Sequence, residues 1–107
     1  MKLFDFALAV TLLAGPALAA DNVATLTLKD HKFTPAEIHV KAHTPTTVTL
    51  TNNDDATEEF DSTALKVEKV VSGHATGTFR IRPLAPGRYP FMGEFHSDTA
   101  QGVVVAE

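Results

Sequence analysis

The sequence predicts an all-β domain, a Greek-key β-sandwich or barrel of seven to eight strands. Two observations support this prediction. Apolar and polar residues alternate with a period of two in short runs, which is typical of half-buried strands. Clusters of turn residues separate these runs, and no helical period is sustained anywhere between them.

The predicted strands follow one another along most of the chain. They cover 24–28, 37–41, 47–51, a run that resumes near residue 58, 65–71, 76–81, 88–91 and 102–106. Turns are expected at 52–55, where short Asn and Asp side chains satisfy local backbone groups, and at 83–87. A short helical turn is expected only around 62–66.

The first residues have the pattern of a secretory signal peptide. Met1 and Lys2 precede a largely apolar run over 3–14, and a helix break with small residues leads to Ala19. The apolar run is too short to anchor the chain in a bilayer. We therefore expect cleavage after Ala19, and a single exported domain over 20–107.

Composition limits the chemistry and the partners. The sequence contains no cysteine, so it forms no disulfide and offers no thiolate to a metal or to redox chemistry. The formal net charge of -4 gives no electrostatic case for binding nucleic acid or anionic lipid. Cations are the expected small partners.

Four motifs resemble the conserved frame of cupredoxin-like domains. They lie at 30–38 (DHKFTPAEI), 46–53 (TTVTLTNN), 86–91 (PGRYPF) and 102–105 (GVVV). The resemblance covers essentially all of the predicted mature domain and implies a cupredoxin-like fold. It also implies a metal site at the last hairpin, where blue-copper members carry an aromatic residue, a Cys, a His and a Met.

The metal-ligand positions of that frame are only partly kept. His96 matches the histidine ligand, Gly93 stands at the cysteine position, and Gln101 falls near the methionine position. The acidic pair Glu58 and Glu59 replaces the upstream histidine. A type 1 copper centre is not expected, because it requires the copper–thiolate bond.

Oxygen and imidazole donors remain as candidate metal ligands. The candidates are His96, Glu59, Glu58, His31, Asp61, Glu68 and Glu94. Such donors suit Fe(II), Fe(III), Mn(II) or Zn(II) better than Cu(I), and Cu(II) accepts them as well. The expected cofactor is therefore an iron or copper ion.

The acidic segments and the last hairpin are similar to those of the periplasmic cupredoxin-like components of bacterial ferrous-iron uptake systems. The matching segments are 58–62, 68–70 and 93–102. This resemblance implies a periplasmic protein that binds iron before its delivery to a membrane permease, while the donor set leaves copper open as the ion. It also leaves open a ferroxidase activity, although nothing in the sequence supplies an electron sink.

The register at Glu58 stays open at the level of sequence. A regular strand with Phe60 in the core turns Glu58 inward and sends Glu59 and Asp61 to the other face, whereas a bulge reverses this. The spacing of the related iron-uptake domains favours Glu59 as the first ligand. Glu68 is expected to face inward and to need a cation or a hydrogen-bond partner.

Several other features have simpler interpretations. The three remaining histidines, His39, His43 and His74, are expected at the surface without a metal, and Met92 is expected to fill a gap in the core. The alternative to metal binding is an interaction module whose copper site has decayed. A homodimer that completes the site across two chains is compatible with the sequence.

Overall fold

Nine β-strands form two sheets in the computed structural model, which describes residues 20–107. The strands are β1 (Asn22–Lys29), β2 (Lys32–Thr34), β3 (Glu37–Val40), β4 (Thr46–Asn52), β5 (Glu58–Ser62), β6 (Val67–Val71), β7 (Thr76–Ile81), β8 (Gly87–Gly93) and β9 (Gln101–Ala106). The all-β prediction is confirmed. The predicted signal peptide, 1–19, lies outside the described residues.

The two sheets have four and five strands. The four-stranded sheet has the order β2-β1-β4-β7, and the five-stranded sheet has the order β3-β9-β8-β5-β6. Most neighbours are antiparallel, but β1 is parallel to β4 and β3 is parallel to β9. Because parallel neighbours cannot be joined by a tight hairpin, the chain crosses between the sheets to make these pairs.

The structure has nine strands, one more than the eight strand segments predicted from the sequence. The unpredicted strand is β2, which has only three residues and pairs with β1 through Lys29 and Lys32. The helical turn expected around 62–66 is a hydrogen-bonded turn, and a 3-10 helix lies instead at Glu94–His96. No helix within residues 20–107 is long and apolar enough to cross a membrane.

The core lies between the sheets and is filled by the inward-facing residues of alternating strands. In β4 every second side chain is buried, with Leu50 at 0% exposure. An aromatic group packs beneath one end of the sandwich, where the Phe60 ring lies 4.8 Å from Phe91 and 6.1 Å from Phe33 between ring centroids. Burial of each such ring contributes roughly 1.5–3 kcal/mol and fixes β5 against β8.

Candidate metal site

Strand β5 is regular, and this decides which acidic residues face the interior. Phe60 and Glu58 are both buried, at 1% and 0% exposure, while Glu59 and Asp61 alternate to the outer face. Of the two registers compatible with the sequence, the regular one is therefore found. The side chain of Glu58 lies inside one end of the sandwich.

The buried Glu58 carboxylate is surrounded by hydrogen-bond donors. Its Oε1 accepts the backbone N–H of Phe95 at 2.8 Å and that of Glu59 at 3.1 Å. Its Oε2 lies 2.5 Å from Nδ1 of His96. These three contacts compensate the desolvation that burial of a carboxylate costs.

When Glu58 is ionised, its contact with Nδ1 sets the tautomer of His96. An ionised carboxylate can only accept a hydrogen bond, so the proton of the contact lies on Nδ1 of His96. The other ring nitrogen, Nε2, then keeps its lone pair when the ring is neutral. A histidine held in this way by a carboxylate is the usual arrangement of a metal-ligating histidine.

Gly93 leaves no space for a side chain at the cysteine position of the cupredoxin frame. A Cβ atom built on Gly93 would lie 2.7 Å from Cδ of Glu58 and 2.8 Å from Cβ of Ala100. The Glu58 carboxylate thus fills the volume that a thiolate would need. The residues present do not fit a type 1 copper centre, whereas oxygen and imidazole donors are available beside the same position.

His31 reaches the site from a two-residue hairpin. Asp30 and His31 have φ values of 52° and 57° and connect β1 to β2, as in a type I′ turn. The carboxylate of Asp54 accepts the backbone N–H groups of Asp30 and His31 at 2.7 and 2.9 Å. The side chain of Asn52 in turn accepts the backbone N–H of Asp54 at 2.9 Å.

Asp54 positions the hairpin that carries His31, a role that the sequence pattern did not predict. The 52–55 cluster was expected to satisfy only local backbone groups, but Asp54 is buried and binds a hairpin 24 positions away. Burial raises the pKa of Asp54, and the hydrogen bonds from His31 and Asp30 outweigh this, so the pKa is lowered overall. An isolated acidic residue in an Asn-rich turn gives no sequence signal for such a long-range contact.

His31 and His96 stack on one another. Their ring centroids are 3.6 Å apart and their planes differ by 18°. Both rings line a cavity of about 350 Å³, together with Phe95, Asp98 and neighbouring residues of the last hairpin. Because nitrogen lone pairs lie in the ring planes, stacked rings cannot both direct one at a single ion about 2.0–2.1 Å away. One ring must turn before both bind.

The remaining acidic candidates form a separate group on the outer face of the five-stranded sheet. This acidic quartet consists of Glu59, Asp61, Glu68 and Glu94. Asp61 lies opposite Glu68 across β5 and β6, and a hydrogen bond to Asp61 raises the pKa of Glu94, helped by the charges of the other two. The expectation that Glu68 faces inward is wrong, because β6 turns Glu68 and Val70 to solvent.

The structure thus divides the predicted ligands between two places. Glu58, His96 and His31 meet at the end of the sandwich, and the acidic quartet lies outside. Over residues 20–107 no three His, Cys, Asp or Glu side chains form a group that could by itself hold a metal ion. Whether any candidate binds a metal remains a prediction.

The other histidines and Met92 are all outside the candidate site. His39 is half-exposed between Glu37 and Glu107, each 2.8 Å away, and the hydrogen bond to Glu107 raises the pKa of His39. Met92 is 37% exposed on the outer face of β8, so the expectation that it fills the core is wrong. Because side chains alternate along β8, the neighbouring Phe91 points into the core and Met92 does not.

Solved structures of copper proteins share this fold. Auracyanin A, a blue copper protein from Chloroflexus aurantiacus, matches with a TM-score of 0.68 and 15% identity over 82% of this chain and 100% of that chain. Amicyanin from Paracoccus versutus matches with a TM-score of 0.61 and 18% identity over 84% and 85%. The metal binding domain of the Cu(I) exporting P-type ATPase CopA of Streptococcus pneumoniae D39 matches with a TM-score of 0.68 and 14% identity over 85% and 92%.

The sequence is also similar to a known protein and matches a protein family. It is 41% identical to the uncharacterized protein RP394 of Rickettsia prowazekii (strain Madrid E) over 93 residues, which cover 85% of this chain and 74% of the relative. Residues 3–106 match the family described as Cupredoxin-like domain. Together with the two-sheet fold, these matches show that the chain belongs to the cupredoxin-like domain family.

Proposed function

We propose that this chain is an exported accessory protein that binds a first-row transition metal ion, iron or copper, and passes it on to an uptake component. The ion binds to Nε2 of His96 and to the imidazole of His31. The observation that carries the proposal is the buried Glu58 carboxylate on Nδ1 of His96. A buried carboxylate on Nδ1 leaves Nε2 of the partly exposed imidazole free to bind an ion, which is the arrangement of a metal-ligating histidine.

The geometry supports metal binding rather than electron transfer. A blue-copper centre needs a thiolate, and the space for one is filled by Glu58 beside Gly93. The copper proteins that share this fold support copper as a candidate ion, and they do not support a redox role for this chain. Glu58 acts in the proposal as the group that orients His96.

An incomplete set of ligands fits a protein that releases its metal. Two imidazoles leave other coordination positions to water, to Asp98 at the rim of the cavity, or to a partner. His31 must leave its stack with His96 before it binds, so the ion is held first by one ring. Both features favour exchange over storage.

The donors and the resemblance point to different metals, and both are part of the proposal. Imidazole nitrogen suits copper, iron, zinc and nickel, and Cu(II) binds most tightly among divalent first-row ions. The resemblance to periplasmic components of ferrous-iron uptake supports iron as the ion carried in the cell. Ferroxidase activity has less support, because Glu59 and Asp61 lie on the outer face of β5, opposite to the buried Glu58 that contacts His96.

Titration calorimetry tests the proposal directly. The purified mature domain is titrated with Cu(II) and, without oxygen, with Fe(II), and we expect one site that binds Cu(II) more tightly. His96→Ala and His31→Ala should each weaken binding at least about tenfold. His39→Ala is the matched control, because this histidine also contacts carboxylates but lies outside the site.

Two outcomes would remove the proposal. The first is that neither ion binds with a dissociation constant below about 1 mM, which corresponds to a binding free energy of about −4 kcal/mol. This result would favour a metal-free interaction module. The second is a loss of binding in His39→Ala with none in His96→Ala. Rates of Fe(II) oxidation, measured for the wild type and His96→Ala, test the ferroxidase alternative separately, since equal rates would exclude catalysis at His96.

A further inference from the structure

A groove opens on the outer face of the five-stranded sheet, away from the candidate metal site. Strands β5 and β8 pair only through Phe60 with Gly93 and Asp61 with Met92. Beyond this point Pro90 has no N–H to donate to β5, and the Ser62 hydroxyl donates to the Pro90 carbonyl at 2.7 Å. The strands part here and leave a cavity of about 320 Å³.

The groove is mostly apolar, and the apolar surface continues beside it. Pro90, Met92 and Ala64 are among the side chains that line it. Met92 is 37% exposed, and Val70 on the edge strand β6 is 56% exposed. Exposed apolar surface next to a groove is typical of a site that another molecule covers.

The acidic quartet surrounds one side of this groove. Asp61 lines the groove itself, and Glu68, Glu59 and Glu94 lie next to it on the same face. No Lys or Arg of residues 20–107 forms an ion pair with any of the four. The hydrogen bond to Asp61, followed by the negative charges of Asp61, Glu59 and Glu68, raises the pKa of Glu94, which shows that the four side chains lie close together.

We propose that this outer face docks a cationic segment of another protein. One apolar side chain of the segment enters the groove beside Met92, and Lys or Arg residues on both sides of it lie against the acidic quartet. A second copy of this chain is the wrong occupant, because two such faces would bring eight carboxylates together. The charge of the face thus selects a basic partner and the groove selects an apolar side chain within it.

The experiment uses a defined probe, the peptide acetyl-Lys-Lys-Leu-Lys-Lys-amide. It is added to the ¹⁵N-labelled mature domain, and amide shifts are followed by NMR. We expect shifts at 59–61, 67–70 and 91–92, and weaker binding when NaCl rises from about 20 mM to about 300 mM. Replacement of the leucine in the peptide by serine should weaken binding several-fold, since the groove is then left unfilled.

A matched pair of variants separates the face from the net charge. Glu59→Gln/Asp61→Asn/Glu68→Gln should weaken binding of the leucine peptide about tenfold, from three exposed ion pairs. Asp21→Asn/Asp55→Asn/Glu107→Gln changes the net charge equally at other places and should leave the affinity within about twofold. Equal losses in both variants, shifts spread over the whole surface, or no shifts at all would overturn the proposal.

Discussion

Replacement of Glu58 by Gln tests how the buried carboxylate acts on His96. The Gln side chain has nearly the same shape, and its oxygen can still accept the N–H groups of Phe95 and Glu59. Its NH₂ group then takes the place of Oε2, 2.5 Å from Nδ1 of His96. Because an NH₂ group donates, His96 has to accept at Nδ1 and carry its proton on Nε2.

The expected effect on metal binding follows from this change of tautomer. With the proton on Nε2, the nitrogen that faces the ion is blocked, and Cu(II) affinity should fall about 10- to 100-fold. The free energy of unfolding should fall by only about 1 kcal/mol, because the three contacts of Glu58 are replaced rather than removed. Calorimetric titration and urea denaturation measure the two quantities on the same samples.

Glu59→Gln is the matched control for this prediction. It removes the same charge at the next position, but its side chain faces outward. The variant should keep the wild-type Cu(II) affinity within about twofold. Unchanged affinity in Glu58→Gln together with a loss in Glu59→Gln would refute the reasoning, and would restore Glu59 as the first ligand.

Three further predictions concern the surroundings of the site. Gly93→Ala should destabilise the fold by about 1–3 kcal/mol in urea denaturation, since its Cβ would meet Glu58 at 2.7 Å. Asp54→Asn should cost about 1–3 kcal/mol near neutral pH, because one of the two amide N–H groups it binds loses its acceptor. Glu94→Gln should raise the urea midpoint near neutral pH, by relieving repulsion from Asp61.

The pH dependence of the last two variants has opposite signs. Folding lowers the pKa of Asp54, so its stabilising effect is present above the ordinary pKa of 3.8 and is lost as pH falls through the folded pKa. The pKa of Glu94 is raised, so its destabilising effect appears as pH rises above 4.5. The urea midpoints of Asp54→Asn and Glu94→Gln should therefore approach that of the wild type in acid, and a difference that persists there would contradict the assignment. For Gly93→Ala, a urea midpoint equal to that of the wild type would contradict the predicted clash with Glu58.

The period-two pattern predicted the fold well because most strands bury one face. Runs such as 47–51 and 102–106 appear at the predicted places in β4 and β9. Strand β2 escaped prediction, because three residues are too few to show a period. The 3-10 helix at Glu94–His96 escaped too, since a single turn has no repeated apolar position.

The candidate site was predicted only in part. The frame around His96 placed that residue and His31 near one end, and the structure brings the two rings together. The choice between Glu58 and Glu59 depends on whether β5 is regular, which is decided by the packing of Phe60 and not by the local residue pattern. The role of Asp54 depends on a contact between distant segments, which the sequence does not display.

The most direct test of the central claim is the state of the His96 ring nitrogens, observed in ¹H–¹⁵N spectra as Zn(II) is added to the mature domain. Before addition, the proton should lie on Nδ1, in contact with Glu58. One equivalent of Zn(II) should shift Nε2 of His96 and one ring nitrogen of His31, while Nδ1 of His96 keeps its proton. A proton found on Nε2 of His96, or shifts confined to the other histidines, would contradict the account.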